Sequence, residues 1–153
     1  MSDVDFGGGL GAFRTWDGKP LSSEAPYGAA VVVATLSPGG CRVLLLHRAH
    51  RGPDYNGDWA WTPPSGGRAP GEPVIACARR ELLEEAGIDG EPVPIKIEET
   101  EWALFLLEVS WGLSVQIDGN EHDRYEWVSV EDAVRRCKPA AIAEEIILAT
   151  AGL

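Results

Sequence analysis

The sequence predicts an α/β protein, in the wider sense that includes α+β folds, and three observations support this class. Apolar runs rich in Val and Leu, of strand length and bounded by turn residues, indicate β-strands in both halves of the 153-residue chain. One amphipathic helix is expected near the middle, at about residues 74–86. Two further helices are expected towards the carboxyl end, at about residues 130–136 and 140–149.

Five segments are predicted to be strands. Residues 29–36 and 43–47 are apolar and are separated by Ser37-Pro38-Gly39-Gly40, which predicts a pair of strands joined by a turn. The other three segments are residues 102–109, residues 113–117 as their expected partner, and a short strand at 126–128.

Length and termini predict one domain. A chain of 153 residues is long enough to form its own core, and we expect a flexible amino-terminal tail at residues 1–23 and a single domain at 24–153. No apolar run approaches the roughly 20 residues that a membrane-spanning helix needs. The first residues include Asp3 and Asp5 followed by glycines, unlike a secretory signal. We therefore expect no membrane association.

Charge and cysteine content restrict the partners and the compartment. The net charge of −11 argues against polymeric nucleic acid as a partner, because such binding needs a basic surface. The three cysteines, Cys41, Cys77 and Cys137, have no metal-site spacing, which predicts reduced thiols in a cytoplasmic protein. Cys77 is expected to lie near the acidic side of the central helix, partly exposed and without a catalytic role.

The central helix is predicted to have two different sides. Pro73 suits its first turn and Gly87 suits a left-handed terminating position. At about 100° per residue, Glu81, Glu84 and Glu85 fall within one arc of about 100°. A separate apolar arc that can pack on a sheet consists of Ile75, Ala78, Leu82 and Ala86.

Three neighbouring carboxylates repel each other, so helix stability alone does not explain them. Carboxylate oxygens are hard ligands that suit Mg²⁺ or Mn²⁺, ions that also bridge to substrate phosphates. Arg80 is placed to hold one carboxylate by a paired hydrogen bond. The alternative interpretation is a solvated acidic helix surface.

The spacing around this helix matches a known motif, G-x5-E-x7-R-E-U-x-E-E-x-G-U, in which U is apolar. The residues at its fixed positions are Gly66, Glu72, Arg80, Glu81, Glu84, Glu85 and Gly87, with Leu82 and Ile88 apolar. This is the Nudix box, and the chain resembles Nudix hydrolases over about residues 25–150. The resemblance implies an α/β/α sandwich around a mixed, mainly antiparallel β-sheet.

The resemblance also implies a chemistry, the hydrolysis of a nucleoside diphosphate linked to another moiety with the help of Mg²⁺ or Mn²⁺. The implied metal ligands are the carbonyl of Gly66 and the side chains of Glu81, Glu84, Glu85 and Glu121. The implied catalytic residues are Glu84, Glu85, Glu121 and Arg80, with the choice of proton acceptor left open. Glu126 and Asp123 are the alternatives to Glu121.

The substrate is expected to be a small nucleotide. Trp61-Thr62-Pro63-Pro64 and residues 121–128 resemble the branch that cleaves dinucleoside polyphosphates. The alternatives are a pyrophosphatase acting on nucleoside triphosphates or oxidised dNTPs, and a binding module that has lost turnover. Retention of all three glutamates of the helix favours catalysis over the binding module. The protein is expected to be a monomer or a homodimer.

Five residues are predicted to bind the substrate. Arg48 and Arg51 are expected to contact phosphate and Tyr55 to stack on a base, the alternative being a solvated loop. By resemblance, His122 lies near the substrate and Phe105 takes the place of a base-stacking Tyr. Trp61 is assigned mainly to the core.

Overall fold

The computed structural model describes residues 18–153, together with the backbones of Val4–Asp5 and Arg14–Thr15. These two short segments are β1 and β2, which pair with each other in an antiparallel ladder. The other strands are β3 (Gly28–Ser37), β4 (Gly40–Arg48), β5 (Trp61–Thr62), β6 (Ser65–Gly67), β7 (Val93–Lys96), β8 (Trp102–Val109) and β9 (His122–Ser129). The helices are α1 (Val74–Ala86), α2 (Val130–Arg136) and α3 (Ala140–Thr150).

Strands β3 to β9 form one mixed sheet in which β3 and β4 are central. One edge of β3 pairs in parallel with β8, and its other edge pairs with β6 near its start and with β4 near its end. Strand β4 also pairs with β5 and β9, and β8 pairs with β7. All of these pairs except β3–β8 are antiparallel, so the predicted mixed, mainly antiparallel sheet is confirmed.

Two apolar clusters cover the two faces of this sheet. On one face, Leu82 and Ala86 of α1 pack against Val31, Leu44 and Phe105. The cluster on the opposite face joins α2 and α3 to the sheet, and its members include Ala133, Ile142, Ile146, Val32, Leu45 and Leu104. Successive residues of β3 therefore enter opposite clusters, as strand geometry requires. The result is a three-layer α/β/α sandwich, as expected.

The predicted helices and the first strand pair are confirmed. Helix α1 has the expected bounds, with Pro73 at its amino end and Gly87 in the left-handed conformation at φ 67°. The Gly87 N–H donates to the carbonyl of Leu83, which closes the last turn. Helices α2 and α3 and strand β8 lie where the sequence places them, and β9 extends the predicted short strand in both directions.

The prediction of a strand at residues 113–117 is wrong. These residues form an irregular segment between β8 and β9, in which Val115 is buried in the cluster beneath α1. The Gln116 N–H donates to the carbonyl of Ala86 at the end of α1, 2.9 Å away, instead of to a strand. The antiparallel partner of β8 is β7, whose exposed residues and Pro94 gave no clear strand pattern in the sequence.

Two expectations about the sides of α1 also need correction. Ile75 is exposed, and Cys77 takes its place in the core. Cys77 is therefore fully buried and not partly exposed; its thiol contacts the carbonyl of Gly66 at 3.7 Å. Burial, the largest cause, raises the pKa of this thiol to about 12, so it stays protonated and unreactive at neutral pH.

The predicted tail at residues 1–23 lies mostly outside the described residues, and its flexibility stays a prediction. Leu21 and Ser22, however, are buried, and the Ser22 N–H donates to the carbonyl of Arg68 at 2.8 Å. Ordered packing therefore begins before the predicted boundary at residue 24. Among the described helices, none has the length and apolar content needed to cross a membrane.

Glu145 gives a testable pH dependence of stability. Burial raises the pKa of this α3 carboxyl to about 7, whereas an unfolded glutamate ionises near 4.5. Because the folded pKa is the higher one, the folded protein holds the extra proton between these values, and ionisation lowers stability as pH rises through this window. A rise in this pKa from 4.5 to about 7 corresponds to a loss of roughly 3 kcal/mol, as an upper limit, in the free energy of unfolding at high pH.

We expect Glu145→Gln to raise the free energy of unfolding at pH 8 relative to the wild type and to change it little at pH 5. Denaturant unfolding at both pH values measures this difference. The matched control is Glu144→Gln, the exposed neighbour on the same helix, which should show no such pH dependence. An equal effect of Glu145→Gln at both pH values would contradict the assignment.

Candidate active site

Arg80 organises the acidic side of α1 through a set of short hydrogen bonds. Its Nε and Nη2 donate to the two carboxylate oxygens of Glu72, at 2.8 and 2.9 Å. Nη2 also donates to the carbonyl of Gly67 at 2.9 Å, and Nη1 donates to Glu81 Oε1 at 2.8 Å. The predicted paired hydrogen bond is therefore made to Glu72, and the hydrogen bond from Arg80 lowers the pKa of that carboxyl. Arg80 thus connects Glu72, Glu81 and strand β6.

The three glutamates of α1 differ in exposure. Glu81 and Glu85 are buried against the sheet, whereas the Glu84 side chain is 55% exposed and contacts Arg80 at 3.4 Å. Burial, followed by the charges of neighbouring carboxylates that include Glu121, raises the pKa of Glu81 to about 7 and that of Glu85 well above its usual value. A buried group of carboxylates with raised pKa values is unfavourable unless a cation compensates for their charge.

Gly66 makes room for Glu81. A Cβ added to Gly66 would lie 2.1 Å from the Glu81 carboxyl carbon, so the missing side chain is what lets this carboxylate occupy its position. The Gly66 carbonyl contacts the Cys77 thiol. The neighbouring Ser65 N–H donates to Glu85 Oε1 at 2.8 Å, which fixes the second buried carboxylate. Strand β6 thus positions both glutamates.

Glu85, Glu121 and His122 form the cluster best suited to a metal ion. Each offers one ligand atom, and these atoms all lie within 4.8 Å of one another. Glu85 Oε2 and His122 Nδ1 are buried and have no hydrogen-bond partner in the described part of the chain. Burial, together with the nearby Arg48 and His47, lowers the pKa of His122 to about 3, so its imidazole is neutral. Neutral imidazole and carboxylate oxygen are both ligands for divalent cations, so these residues fit such an ion.

The sequence did not predict His122 as a metal-binding candidate. We expected it to contact substrate, but the pairing of β9 with β4 sets it beside Glu85. Of the three carboxylates considered downstream, only Glu121 joins this cluster. Asp123 bonds to His47 at 2.9 Å and to Arg124 at 3.0 Å, and Glu126 bonds to Arg136 at 2.8 Å. These contacts hold the carboxylates of Asp123 and Glu126 away from the cluster of Glu85, Glu121 and His122.

The predicted phosphate-binding and base-stacking residues Arg48, Arg51 and Tyr55 line one cavity of about 550 Å³, together with His50, Asp58 and Trp59. The Arg51 guanidinium carbon lies 5.1 Å from the centre of the Tyr55 ring. A cavity of this size, with cations and an aromatic ring in its wall, suits a nucleotide. Arg48 pairs with His122 in the sheet, which brings the cavity close to the metal-binding cluster.

The prediction that Phe105 stacks on a base is wrong. Its side chain is only 1% exposed and packs in the apolar cluster between the sheet and α1. Strand β8 is covered on both faces where Leu104 and Phe105 enter opposite clusters, so no face of the Phe105 ring is open to a ligand. Trp61 is in the core, as assigned.

The layered fold, with a glutamate-bearing helix packed on one face of the sheet, is that of a known family. The NUDIX domain profile matches residues 26–150, most of the chain, and the protein therefore belongs to the NUDIX domain family.

Individual relatives point to nucleotide hydrolases. The chain is 33% identical over 91 residues to the asymmetrical bis(5′-nucleosyl)-tetraphosphatase of pig (Sus scrofa), an alignment that covers 51% of this chain and 61% of that protein. The matched region thus spans less than two thirds of the curated relative. A crystal structure of the Ap4A hydrolase of C. elegans in a binary complex superposes with a TM-score of 0.63 and 25% identity, over 82% of this chain and 95% of that one.

The fold is shared more widely. The dihydroneopterin triphosphate pyrophosphohydrolase of E. coli superposes with a TM-score of 0.63 over 86% of this chain and 99% of that one. At 21% identity, this likeness shows the fold alone.

Proposed function

We propose that the protein is a hydrolase that cleaves a phosphoanhydride bond of a dinucleoside polyphosphate with the help of Mg²⁺ or Mn²⁺. The observation that carries the proposal is the cluster of Glu85, Glu121 and His122, in which the buried atoms Glu85 Oε2 and His122 Nδ1 lack a hydrogen-bond partner among the described residues. The tetraphosphatase relatives support the substrate class.

Each residue of the site has a definite task. Glu85, Glu121 and His122 would hold a divalent cation, with Glu81 and Glu84 beside them on α1. Such a cation supplies neutralisation of phosphate oxygens and a lower pKa for water. Arg80 and Glu72 keep Glu81 in place, and the Ser65 N–H orients Glu85.

The remaining steps belong to the less buried carboxylates and to residues that line the cavity of about 550 Å³. Glu84 and Glu121 are the least buried of the four carboxylates, so either can accept the proton from the attacking water. Arg48 and Arg51 are placed to bind phosphate groups and Tyr55 to stack on a base. A cytoplasmic location and a monomeric or homodimeric state remain predictions of the sequence.

The test is a hydrolysis assay with Mg²⁺ or Mn²⁺ over a panel of substrates, with products identified by mass. We expect diadenosine tetraphosphate to be cleaved to AMP and ATP faster than ADP-ribose or nucleoside triphosphates, and chelation by EDTA to abolish turnover. Faster cleavage of nucleoside triphosphates or oxidised dNTPs would replace the substrate class with the pyrophosphatase alternative. Nucleotide binding without turnover of any substrate would support the binding module.

A further inference from the structure

A second cavity, of about 400 Å³, lies on the side of the sheet covered by α2. Its wall includes Asn56 from the loop before β5, Trp61 from β5, Arg124 and Glu126 from β9, Arg136 from the end of α2, and Lys138 just after that helix. None of these residues belongs to the cluster of Glu85, Glu121 and His122. We call it the α2 cavity.

The α2 cavity is basic in an otherwise acidic protein. The chain has 13 Lys and Arg residues against 24 Asp and Glu, yet four of the 13 line this one cavity, with Arg135 as the fourth. Three of the four form ion pairs: Arg136 with Glu126, the one carboxylate in the wall, at 2.8 Å, Arg124 with Asp123 at 3.0 Å, and Arg135 with Asp132. Lys138 is exposed and forms no ion pair with the residues of the described range 18–153. The cavity therefore offers positive charge that the protein does not neutralise fully.

Trp61 holds two of these cations in place. The guanidinium carbons of Arg124 and Arg136 lie 5.1 and 5.3 Å from the centre of the Trp61 ring. Cation–π contacts of this kind stabilise a guanidinium while leaving its N–H groups available for hydrogen bonds. Trp61 itself is 4% exposed, so it acts as a rigid support. Two guanidinium groups fixed around one cavity form a site suited to phosphate oxygens.

The α2 cavity adjoins the cavity lined by Tyr55 and lies across the sheet from the metal-binding cluster. Arg124 pairs with His47 of β4, and the register shifts before His122 pairs with Arg48, so the side chains of Arg124 and His122 lie on opposite faces of β9. His47, fully buried, contacts Asp123 Oδ1 at 2.9 Å and the carbonyl of Tyr55 at 2.7 Å. These bonds tie β9 to residues 55–61, which contribute side chains both to the α2 cavity and to the cavity lined by Tyr55.

We propose that the α2 cavity binds the 5′-phosphate oxygens of a nucleotide, namely the nucleotide half of the substrate that lies farther from the cleaved bond. This inference rests on the proposed function, because a dinucleoside polyphosphate has two nucleotide halves and each can occupy a site of its own. The cavity lined by Arg48, Arg51 and Tyr55 takes one half and the α2 cavity takes the other. A volume of about 400 Å³ lies in the range of small-molecule sites.

The first test uses binding without turnover. AMP is titrated calorimetrically into the full chain in EDTA, and into the variants Lys138→Ala and Arg136→Gln. Loss of one charged hydrogen-bond donor should weaken AMP binding about tenfold in each variant. The matched control is Arg79→Gln on α1, which removes the same charge from an ion pair with Glu91 far along the chain from this cavity; it should bind AMP like the wild type.

NMR of the tryptophan side chains checks whether AMP binds in the α2 cavity. The Trp61 indole N–H, which donates to Asn56 Oδ1 at 3.3 Å, should shift when AMP is added, and its signal is assigned by its loss in Trp61→Phe. Equal AMP affinity in Lys138→Ala, Arg136→Gln and the wild type would overturn the proposal, as would the absence of AMP binding to the wild type.

A kinetic test separates this proposal from the proposed function. With diadenosine tetraphosphate and Mg²⁺, both cavity variants should raise KM about tenfold with kcat changed less than twofold. Turnover with unchanged KM values in both variants would overturn the proposal for the α2 cavity and leave the proposed function standing. No turnover in the wild type, with AMP binding still weakened in the variants, would overturn the proposed function and leave the phosphate site.

Discussion

Replacing Glu85 with glutamine should lower the hydrolysis rate by at least about 100-fold, the size of effect seen when a charge-stabilising group is removed from an active site. The glutamine carbonyl can still accept the Ser65 N–H bond that Glu85 Oε1 accepts at 2.8 Å. The change therefore replaces only the buried, unpartnered Oε2 by an amide NH₂, which cannot ligate a cation. Steady-state rates in Mg²⁺ measure the loss.

Stability measurements show whether this loss comes from the metal site. In EDTA at pH 8, Glu85→Gln should be at least as stable as the wild type, because it removes a buried group whose ionised form is unfavourable. Mg²⁺ should stabilise the wild type, by about 2.7 kcal/mol at 100 times its Kd, and should stabilise the variant much less. Glu144→Gln, an exposed position on α3, is the control for charge alone. Wild-type turnover or wild-type Mg²⁺ stabilisation in Glu85→Gln would exclude this residue from the site.

The sequence predicted local features of the site well because their causes are local. Pro73 and Gly87 set the ends of α1, and both act through the backbone of the residues beside them. The spacing of Glu81, Glu84 and Glu85 places them on one side of α1, because the position of each side chain around a helix depends only on its place in the sequence. The turn between β3 and β4 is also local, and its strands have nearly the predicted bounds.

Features that depend on packing between distant segments could not be predicted. The spacing places Glu81, Glu84 and Glu85 within one arc of about 100°, but it does not determine which of them the sheet covers. Helix α1 packs so that, of these three, Glu84 stays exposed. His122 reaches Glu85 through the register of β9 on β4, which shifts between His47 and Arg48. Phe105 lies in a strand that is apolar on both faces. Its sequence therefore has no alternation of apolar and polar residues that could show which side chains are accessible.

Adding one methyl group at Gly66 should be nearly as damaging as removing a carboxylate. In Gly66→Ala the new Cβ would lie 2.1 to 2.3 Å from three atoms of the Glu81 carboxyl group, so this group must move. Glu81 is held in that position by Arg80 Nη1 at 2.8 Å. A displacement of about 1 Å in a catalytic arrangement can cost about 100-fold in rate, and we expect a loss of this order in kcat.

The fold should tolerate the same substitution, because the obstructing atoms are the end of a flexible side chain and not backbone. Thermal unfolding of Gly66→Ala in EDTA should therefore resemble that of Gly39→Ala, the control, where the nearest atom to a new Cβ is 3.6 Å away and activity should not change. A second substitution provides a rescue. Combining Gly66→Ala with Glu81→Asp shortens the obstructing side chain by one methylene and should recover part of the lost rate. If Gly66→Ala keeps full activity, or if its activity falls only in proportion to unfolding, then the position of the Glu81 carboxylate does not control the reaction.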